Sequence, residues 1–172
     1  HHDTCYTSEP DRFTMLYAIK VPREGGNTLW ANMYTAWETL PDALKKQIMG
    51  KQALNIYDYA TKSRPELKKL SSIEHAWHPA VINHPFTEKK ALFINRLMTC
   101  KLEGLSEAKS LKVLEPIFDH AEQPRHIFEH HWKPGDFIIW DNLSTTHART
   151  HFNNDDDRRL RRSKVSGQPL ST

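Results

Sequence analysis

This chain of 172 residues has few cysteines, no long apolar run and little net charge. The two cysteines, Cys5 and Cys100, cannot build a disulfide framework, and neither stands in a CxxC pair. We therefore expect a reducing, cytoplasmic location. No apolar run approaches the roughly 18–20 residues that a membrane-spanning helix needs, and no signal-peptide pattern opens the chain.

The net charge is only +3, from 24 Lys and Arg residues against 21 Asp and Glu residues. Because the basic residues are not gathered into one long stripe, the composition does not indicate a nucleic-acid-binding protein. Internal repeats, low-complexity tracts and long Gly/Ser linkers are absent from the sequence. With 38% hydrophobic residues, the chain has enough apolar material for one core, so we expect one domain over residues 1–172.

Short extended segments joined by turns alternate with helical segments. Strands are predicted over 13–21, 28–31, 80–83, 91–95, 129–132, 137–141 and 158–165. Helices are predicted over 33–40, after Pro41 as far as Gly50, and after Ser106, with Asn32 and Ser106 as N-caps. The polar stretch 51–75 is expected to be a loop with some helix. This pattern favours a mainly β fold with helical insertions and antiparallel strands.

Histidine is abundant, with 11 in the chain, and His1 and Asp3 stand two positions apart. In an extended segment such side chains project from the same face, so the two could hold one cation together. His147, which follows a buried-looking strand and a turn, is the best candidate for a third ligand. Two histidines and one carboxylate on one face of a metal leave positions open, as in non-haem Fe(II) oxygenases. The alternatives are a surface pair, or the remnant of a purification tag on a chain that begins without Met.

Four arginines fall within the last predicted strand: Arg158, Arg159, Arg161 and Arg162. Alternate members of a strand point to the same face, so some of them are expected to face the interior. A buried guanidinium has to be paired, and its planar fork suits a dicarboxylate. The competing interpretation is a solvated basic edge strand that protects a sheet against aggregation.

Five segments carry a resemblance to a known family through their order and spacing: HHDTCY, GGNTLWANMYTAWETLP, HPAVINHPFTEKKALFINRLMT, WKPGDFIIWDNLSTTHART and RRLRRSKVSG. They are similar to the taurine dioxygenase family of Fe(II)- and 2-oxoglutarate-dependent oxygenases, over nearly the whole chain. The resemblance implies a double-stranded β-helix, or jelly-roll. It also implies that His1, Asp3 and His147 bind the iron, that His2 does not, and that the domain lacks its N-terminal part here.

The same resemblance implies which residues hold 2-oxoglutarate. Thr28 and Arg162 match the threonine and the arginine that bind its distal carboxylate. A second arginine, at the end that chelates iron, falls on Arg158. Relatives have two residues between the paired arginines and this chain has only Leu160, so Arg159 is the alternative.

The implied reaction is hydroxylation of a small organic substrate with O₂, coupled to conversion of 2-oxoglutarate to succinate and CO₂. Because Asp3 leaves no room for a halide, halogenation is not expected. The implied substrates are anions: sulfonates, alkyl sulfates, aryloxy acids or other carboxylates. Trp30, Phe93 and Arg149 are candidates to approach the pocket. A homo-oligomer, as a dimer or tetramer, is implied, with no nucleic-acid or membrane partner.

Two other classes of protein fit parts of this pattern. One is a non-catalytic jelly-roll that binds a metal or a small molecule, although such a protein has little reason to keep three ligands and a cosubstrate arginine. The other is a cupin-like hydrolase or isomerase with Zn²⁺ or Mn²⁺, which needs no arginine for a dicarboxylate and usually adds further histidines. Arg162 therefore discriminates between these classes.

Overall fold

The computed structural model describes residues 1–57 and 67–170, and within these ranges the chain is mainly β, with 11 strands and three α-helices. The strands are β1 (Phe13–Lys20), β2 (Thr28–Asn32), β3 (Gln52–Ile56), β4 (His75–Pro79), β5 (Val81–Asn83), β6 (Lys90–Leu92), β7 (Thr99–Leu102), β8 (Ile127–His130), β9 (Phe137–Asp141), β10 (Thr145–Arg149) and β11 (Arg159–Val165). The helices are α1 (Met33–Glu38), α2 (Asp42–Ile48) and α3 (Glu107–Ala121), with 3₁₀ turns at Leu67–Ser72 and Pro124–His126. No helix in the described part of the chain is long and apolar enough to cross a membrane.

Two antiparallel three-stranded sheets, β11-β1-β9 and β10-β2-β8, face each other. Trp30 of β2 meets Trp140 of β9 between them, with ring centroids 5.4 Å apart. Ala18 and Trp132 are buried in the same small core. This arrangement is the jelly-roll that the resemblance implies, and the fold prediction is confirmed.

Strand β1 has the alternation expected of a strand with one covered face. Thr14 and Ala18 are buried on its inner face, whereas Tyr17 is exposed on the outer face. Leu16, on the inner face, lies opposite Arg162 of β11 in the strand register. Lys164 likewise lies opposite Thr14, so this face of the sheet carries one threonine, one arginine and one lysine beside its apolar side chains.

A larger core lies where α1 packs against β6 and α3 packs against β7. Both predicted N-caps are present. Asn32 Oδ1 accepts hydrogen bonds from the backbone nitrogens of Tyr34 and Thr35, and Ser106 Oγ accepts one from the backbone nitrogen of Lys109. These caps satisfy donors that the first turn of a helix leaves unpaired, which fixes where α1 and α3 begin.

The prediction of a loop with some helix over 51–75 is wrong for its first part, and residues 58–66 lie outside the described residues. Strand β3 occupies 52–56 as the central strand of β4-β3-β7, and most of it is buried. A strand covered on both faces shows no alternation, so its sequence lacks the usual signal. Strands β4, β7 and β10 are not predicted either, because they are short and rich in polar residues. The strand predicted at 129–132 lies two residues earlier, and the last strand begins at Arg159 rather than one residue before it.

Candidate metal centre

Three side chains converge between the two facing sheets. One ligand atom each of His1, Asp3 and His147 lie within 4.8 Å of one another. Asp3 Oδ1 is 3.6 Å from His1 Nε2 and 3.7 Å from His147 Nε2. Within residues 1–57 and 67–170, this is the one such group of His, Cys, Asp and Glu side chains. The structure thus brings together the three residues that the sequence predicts as ligands.

Backbone pairing holds His1 beside strand β10. The His1 nitrogen donates to the carbonyl of His147 at 2.8 Å, and the His147 nitrogen donates to the carbonyl of His1 at 2.9 Å. On its other side, His147 pairs in register with Trp30 of β2. The imidazole of His147 is therefore carried by a paired strand, His1 is hydrogen-bonded to that strand through its backbone, and the two ring centroids are 4.2 Å apart.

Asp3 is fixed through its carboxylate and through its backbone. Its Oδ2 accepts a hydrogen bond from the hydroxyl of Thr14 at 2.7 Å. The side chain of Asn142 accepts from the Asp3 backbone nitrogen at 2.7 Å and donates to the Asp3 carbonyl at 2.9 Å. Thr14 and Asn142 are both fully buried. Neither residue is predicted from the sequence, although a polar side chain on the inner face of an otherwise apolar strand is a usable signal for Thr14.

The protonation states at this site suit a cation. Burial raises the pKa of Asp3, but the interactions with His1, His147 and Thr14 together outweigh it and hold the pKa well below its usual range. Burial, followed by the nearby charge of His1, lowers the pKa of His147 to about 4. At neutral pH the site therefore offers an ionised carboxylate and a neutral imidazole, which are the forms that bind metals.

His2 is not a member of this group. Its side chain is fully buried and its ring packs on Phe93, with centroids 4.3 Å apart. Both ring nitrogens lack a hydrogen-bond partner among the described residues, and burial above all lowers the pKa of His2 to about 3. His2 is thus a neutral core residue, in keeping with the prediction that it is not a ligand.

Arg162 lies beside the three candidate ligands. Its guanidinium nitrogen is 3.6 Å from Asp3 Oδ1, although more than half of the side chain is exposed. Since Arg162 stands opposite the inward-facing Leu16, it projects from the inner face of β11. The sequence expectation put this arginine at the far end of the cosubstrate, yet it is next to Asp3.

Arg158 and Thr28 lie together at a second place. Arg158 Nε donates to the carbonyl of Gly26 at 2.8 Å, two residues before Thr28. Thr28 is buried, and its Oγ1 accepts a hydrogen bond from Trp132 Nε1 at 2.9 Å. Gly26 has a φ of +66°, and an added Cβ would come within 3.1 Å of Arg158 Cδ. A glycine at this position therefore lets Arg158 approach the backbone beside Thr28.

Arg149 is a second cation beside Thr28. The two residues pair across β10 and β2, and Arg149 shares a face of β10 with His147. Its guanidinium carbon lies 4.8 Å from the ring centroid of Phe152, and that of Arg158 lies 6.0 Å from it. Burial and the charge of Arg149 lower the pKa of Arg158. Neither arginine has an acidic partner among the described residues.

Arg159, the alternative to Arg158, does not lie beside Thr28. The side chain of Arg159 is 61% exposed, and it forms an ion pair with Asp157 at 3.4 Å. It is separated from Thr28 and Asp3, because neighbouring residues on a strand point to opposite faces. Of the two candidates, Arg158 is the one that approaches Thr28.

An apolar groove of about 400 Å³ begins at the candidate ligands. His1 and His147 form one end of it, and its walls include Met33, Ile94, Leu97 and Phe118. Arg96 is at its rim, but the charge of this guanidinium is already matched by Asp119 and Glu122. A small organic molecule in this groove would touch both imidazoles.

Several other histidines of the described chain have structural partners. His84 Nε2 lies 3.0 Å from Asp141 Oδ2, His78 Nε2 lies 2.8 Å from the carbonyl of Thr7, and His120 Nε2 lies 3.1 Å from the carbonyl of Ala36. They are not among the grouped candidate ligands. The sequence predicts no metal at these histidines either.

Comparison with known proteins gives one family. The family model "Taurine catabolism dioxygenase TauD, TfdA family" matches residues 1–164. An alkylsulfatase of Acinetobacter baylyi is 31% identical over 98% of this chain and 56% of its own length. An alpha-ketoglutarate-dependent 2,4-dichlorophenoxyacetate dioxygenase of a Burkholderia species is 30% identical over 98% of this chain and 58% of its own. The chain therefore spans a little over half the length of these curated relatives.

Solved structures agree with this result. The crystal structure of AAD-2 with Mn(II) and N-oxalylglycine superposes with a TM-score of 0.91 and 26% identity, over 100% of this chain and 70% of that one. A taurine dioxygenase from Burkholderia xenovorans superposes with a TM-score of 0.85 and 26% identity, over 99% of this chain and 57% of that one.

Proposed function

The chain belongs to the TauD, TfdA family of dioxygenases, and we propose that it carries the catalytic centre of an Fe(II)- and 2-oxoglutarate-dependent dioxygenase. The proposed reaction hydroxylates a small anionic organic substrate with O₂ and releases succinate and CO₂. The observation that carries this proposal is the convergence of His1, Asp3 and His147. Two other protein classes, a non-catalytic binding jelly-roll and a cupin-like Zn²⁺ or Mn²⁺ enzyme, make different predictions for the arginines.

The three ligand residues fit Fe(II). Two imidazole nitrogens and one carboxylate oxygen are the donor set of non-haem Fe(II) oxygenases, and here they lie within 4.8 Å of one another. When bound, Fe(II) would supply the redox chemistry that joins O₂ to the oxidation of 2-oxoglutarate. His1, Asp3 and His147 would hold it from one side, which leaves the other side for the reactants.

Arg158 and Arg162 would bind opposite ends of 2-oxoglutarate, and their proposed roles are exchanged relative to the sequence expectation. We propose that Arg158 binds the distal carboxylate together with Thr28, because both lie beside Gly26 and Arg158 has no acidic partner among the described residues. Arg149 adds a second positive charge there. Arg162, 3.6 Å from Asp3 Oδ1, would then stabilise negative charge at the metal end.

Other residues around the site would orient the reactants and exclude water. The indoles of Trp30 and Trp140 cover the interior beside His147, since the Trp140 and His147 centroids are 5.1 Å apart. A dry interior strengthens the attraction between the arginines and bound carboxylates. The groove that begins at His1 and His147 would place the substrate next to the metal.

The relatives suggest the substrate class. They are named as acting on alkyl sulfates, 2,4-dichlorophenoxyacetate and phenoxypropionate, which are apolar groups with one anionic end. The apolar walls of the groove suit such a molecule. We therefore propose a sulfonate, an alkyl sulfate, an aryloxy acid or another carboxylate. A cytoplasmic location, a homo-oligomer and the single-domain assignment of residues 1–172 stay predictions.

A turnover assay tests this proposal. The protein is incubated with Fe(II), 2-oxoglutarate, O₂ and each member of a panel of alkyl sulfates, sulfonates and aryloxy acids, and succinate is measured. We expect at least one panel member to raise succinate formation and to be consumed in equal amount, and expect no activity in His147→Ala. If the protein binds Fe(II) but never converts 2-oxoglutarate, the binding-module alternative replaces the proposal.

A further inference from the structure

The two oxygens of the Asp3 carboxylate have different surroundings. Oδ1 faces the site, at 3.6 Å from His1 Nε2 and 3.7 Å from His147 Nε2. Oδ2 faces strand β1 instead, where it accepts the hydroxyl hydrogen of Thr14 at 2.7 Å. One oxygen is therefore directed at the candidate cation, and the other is already engaged by the protein.

We infer that Thr14 is a positioning residue that restricts Asp3 to a single donor atom on the metal. The inference rests on the proposed function, because it takes His1, Asp3 and His147 as the metal ligands. A carboxylate can bind a cation through one oxygen or through both. The hydrogen bond to the buried hydroxyl keeps Oδ2 turned toward Thr14, so Oδ1 is the oxygen that faces the candidate cation.

The rest of the carboxylate's environment supports this assignment. The side chain of Asn142 forms hydrogen bonds with both the backbone nitrogen and the carbonyl of Asp3. These bonds restrain the main chain at Asp3 and so the direction in which its carboxylate points. Thr14 is fully buried on a paired strand, between Trp140 of β9 and Lys164 of β11 in register. The side chain of Asp3 is only 7% exposed, and the Thr14 hydroxyl is the one hydrogen-bond donor to Oδ2 among the described residues.

The count of donor atoms decides how many reactants fit. Three ligands with one donor each leave about three of six positions of an octahedral metal free. A chelating 2-oxo acid takes two of them, which leaves one for O₂. If Asp3 bound through both oxygens, the chelating acid would fill every remaining position. By holding Oδ2, Thr14 keeps one position available for the third reactant.

The test counts water molecules on Mn(II), which replaces Fe(II) and does not react. Water-proton relaxation is measured on the Mn(II)-loaded protein, alone and with N-oxalylglycine. For the wild type we expect about three inner-sphere waters, falling to about one when the chelating acid binds. Thr14→Val keeps the shape of the side chain but removes the hydroxyl, so we expect about one water fewer in each state. Thr14→Ser restores the hydroxyl and the wild-type count.

A matched control is Thr99→Val, which removes another buried threonine hydroxyl, bonded to Asn55 Oδ1 at 2.6 Å, in a different sheet. Its water count should equal that of the wild type. An unchanged count in Thr14→Val overturns the inference. So does X-ray absorption of the wild-type Mn(II) protein that finds both Asp3 oxygens bound, a result that needs no variant to fold. Failure of His147→Ala to weaken Mn(II) binding would instead refute the proposed metal site itself.

Discussion

Asn142 and Asp3 are joined by a reciprocal pair of hydrogen bonds although 139 residues separate them in the sequence. The Asn142 amide also donates to the carbonyl of Asp11 at 2.6 Å. This one buried side chain therefore attaches the turn at Asp3, which carries the carboxylate ligand, to the end of strand β9. It thereby fixes where the Asp3 carboxylate lies in the candidate metal centre.

Replacing Asn142 tests this anchoring. Asn142→Ala leaves one buried nitrogen and two buried carbonyls without their partner, so we expect a loss of about 3 kcal/mol in the free energy of unfolding. Urea unfolding in the presence of a chelator measures this loss, and Mn(II) titration should show weaker binding. Asn154→Ala, at an exposed position, serves as the control. A loss no greater than that of the control would show that the turn holds without Asn142.

The division of the arginines predicts different effects of two substitutions. Arg158→Met should weaken 2-oxoglutarate binding about tenfold or more, because it removes a charge-assisted hydrogen bond from the distal carboxylate, and should leave Mn(II) binding unchanged. Arg162→Met should weaken 2-oxoglutarate binding but strengthen Mn(II) binding, because it removes a positive charge that lies 3.6 Å from Asp3 Oδ1 and repels a cation there. Calorimetric titration of the Mn(II) protein measures both constants. Arg159→Met is the control, and a larger effect there than in Arg158→Met would reverse the assignment.

Gly26 links backbone conformation to Arg158. Gly26→Ala places a side chain at a φ of +66° and a Cβ 3.1 Å from Arg158 Cδ. Gly104→Ala introduces the same type of strain, at a φ of +77°, with nothing within 4 Å. Gly104→Ala should lose about 1–2 kcal/mol of stability. Gly26→Ala should lose more, because its Cβ would also lie 2.7 Å from Pro22 Cγ. In titrations with 2-oxoglutarate only Gly26→Ala should bind more weakly, and equal affinities in the two variants would contradict the placement of Arg158.

His78 gives the protein an acid-sensitive stability. Burial lowers the pKa of His78 below its ordinary value of 6.5, against the hydrogen bond to the carbonyl of Thr7. Below pH 6.5 the unfolded chain therefore takes up a proton that the folded chain refuses, so stability falls with falling pH until the lowered pKa is reached. His78→Gln should reduce the slope of unfolding free energy against pH by up to about 1.4 kcal/mol per pH unit in this range. A slope in His78→Gln equal to that of the wild type would show that His78 titrates alike in the folded and the unfolded state.

The sequence predicts the parts of the site whose chemistry is local. The spacing of His1 and Asp3 suffices to suggest a shared cation, and Thr28 is recognised from the segment around it. The pattern of β1 and the caps Asn32 and Ser106 are also local, because each depends on residues within a turn or a strand. These features can be inferred without knowing which strands are neighbours.

Other features depend on contacts that spacing does not reveal. Arg158 and Arg162 are equivalent as residue types, and only the register of β11 against β1 shows which of them reaches Asp3. Thr14 acts on a carboxylate 11 positions away, and Asn142 acts across 139. Strand β3 is missed for a related reason, because a central strand that is covered on both faces loses the alternation by which strands are recognised.

The most direct measurement is the visible absorption of the protein under exclusion of oxygen, with Fe(II) added first and 2-oxoglutarate second. The proposal predicts a charge-transfer band that appears only with the second addition, since iron and the chelating keto acid must meet at His1, Asp3 and His147. The band should need more 2-oxoglutarate in Arg158→Met and be lost in His147→Ala. If Fe(II) binds and no band appears at any 2-oxoglutarate concentration, the site is not that of a 2-oxoglutarate-dependent dioxygenase.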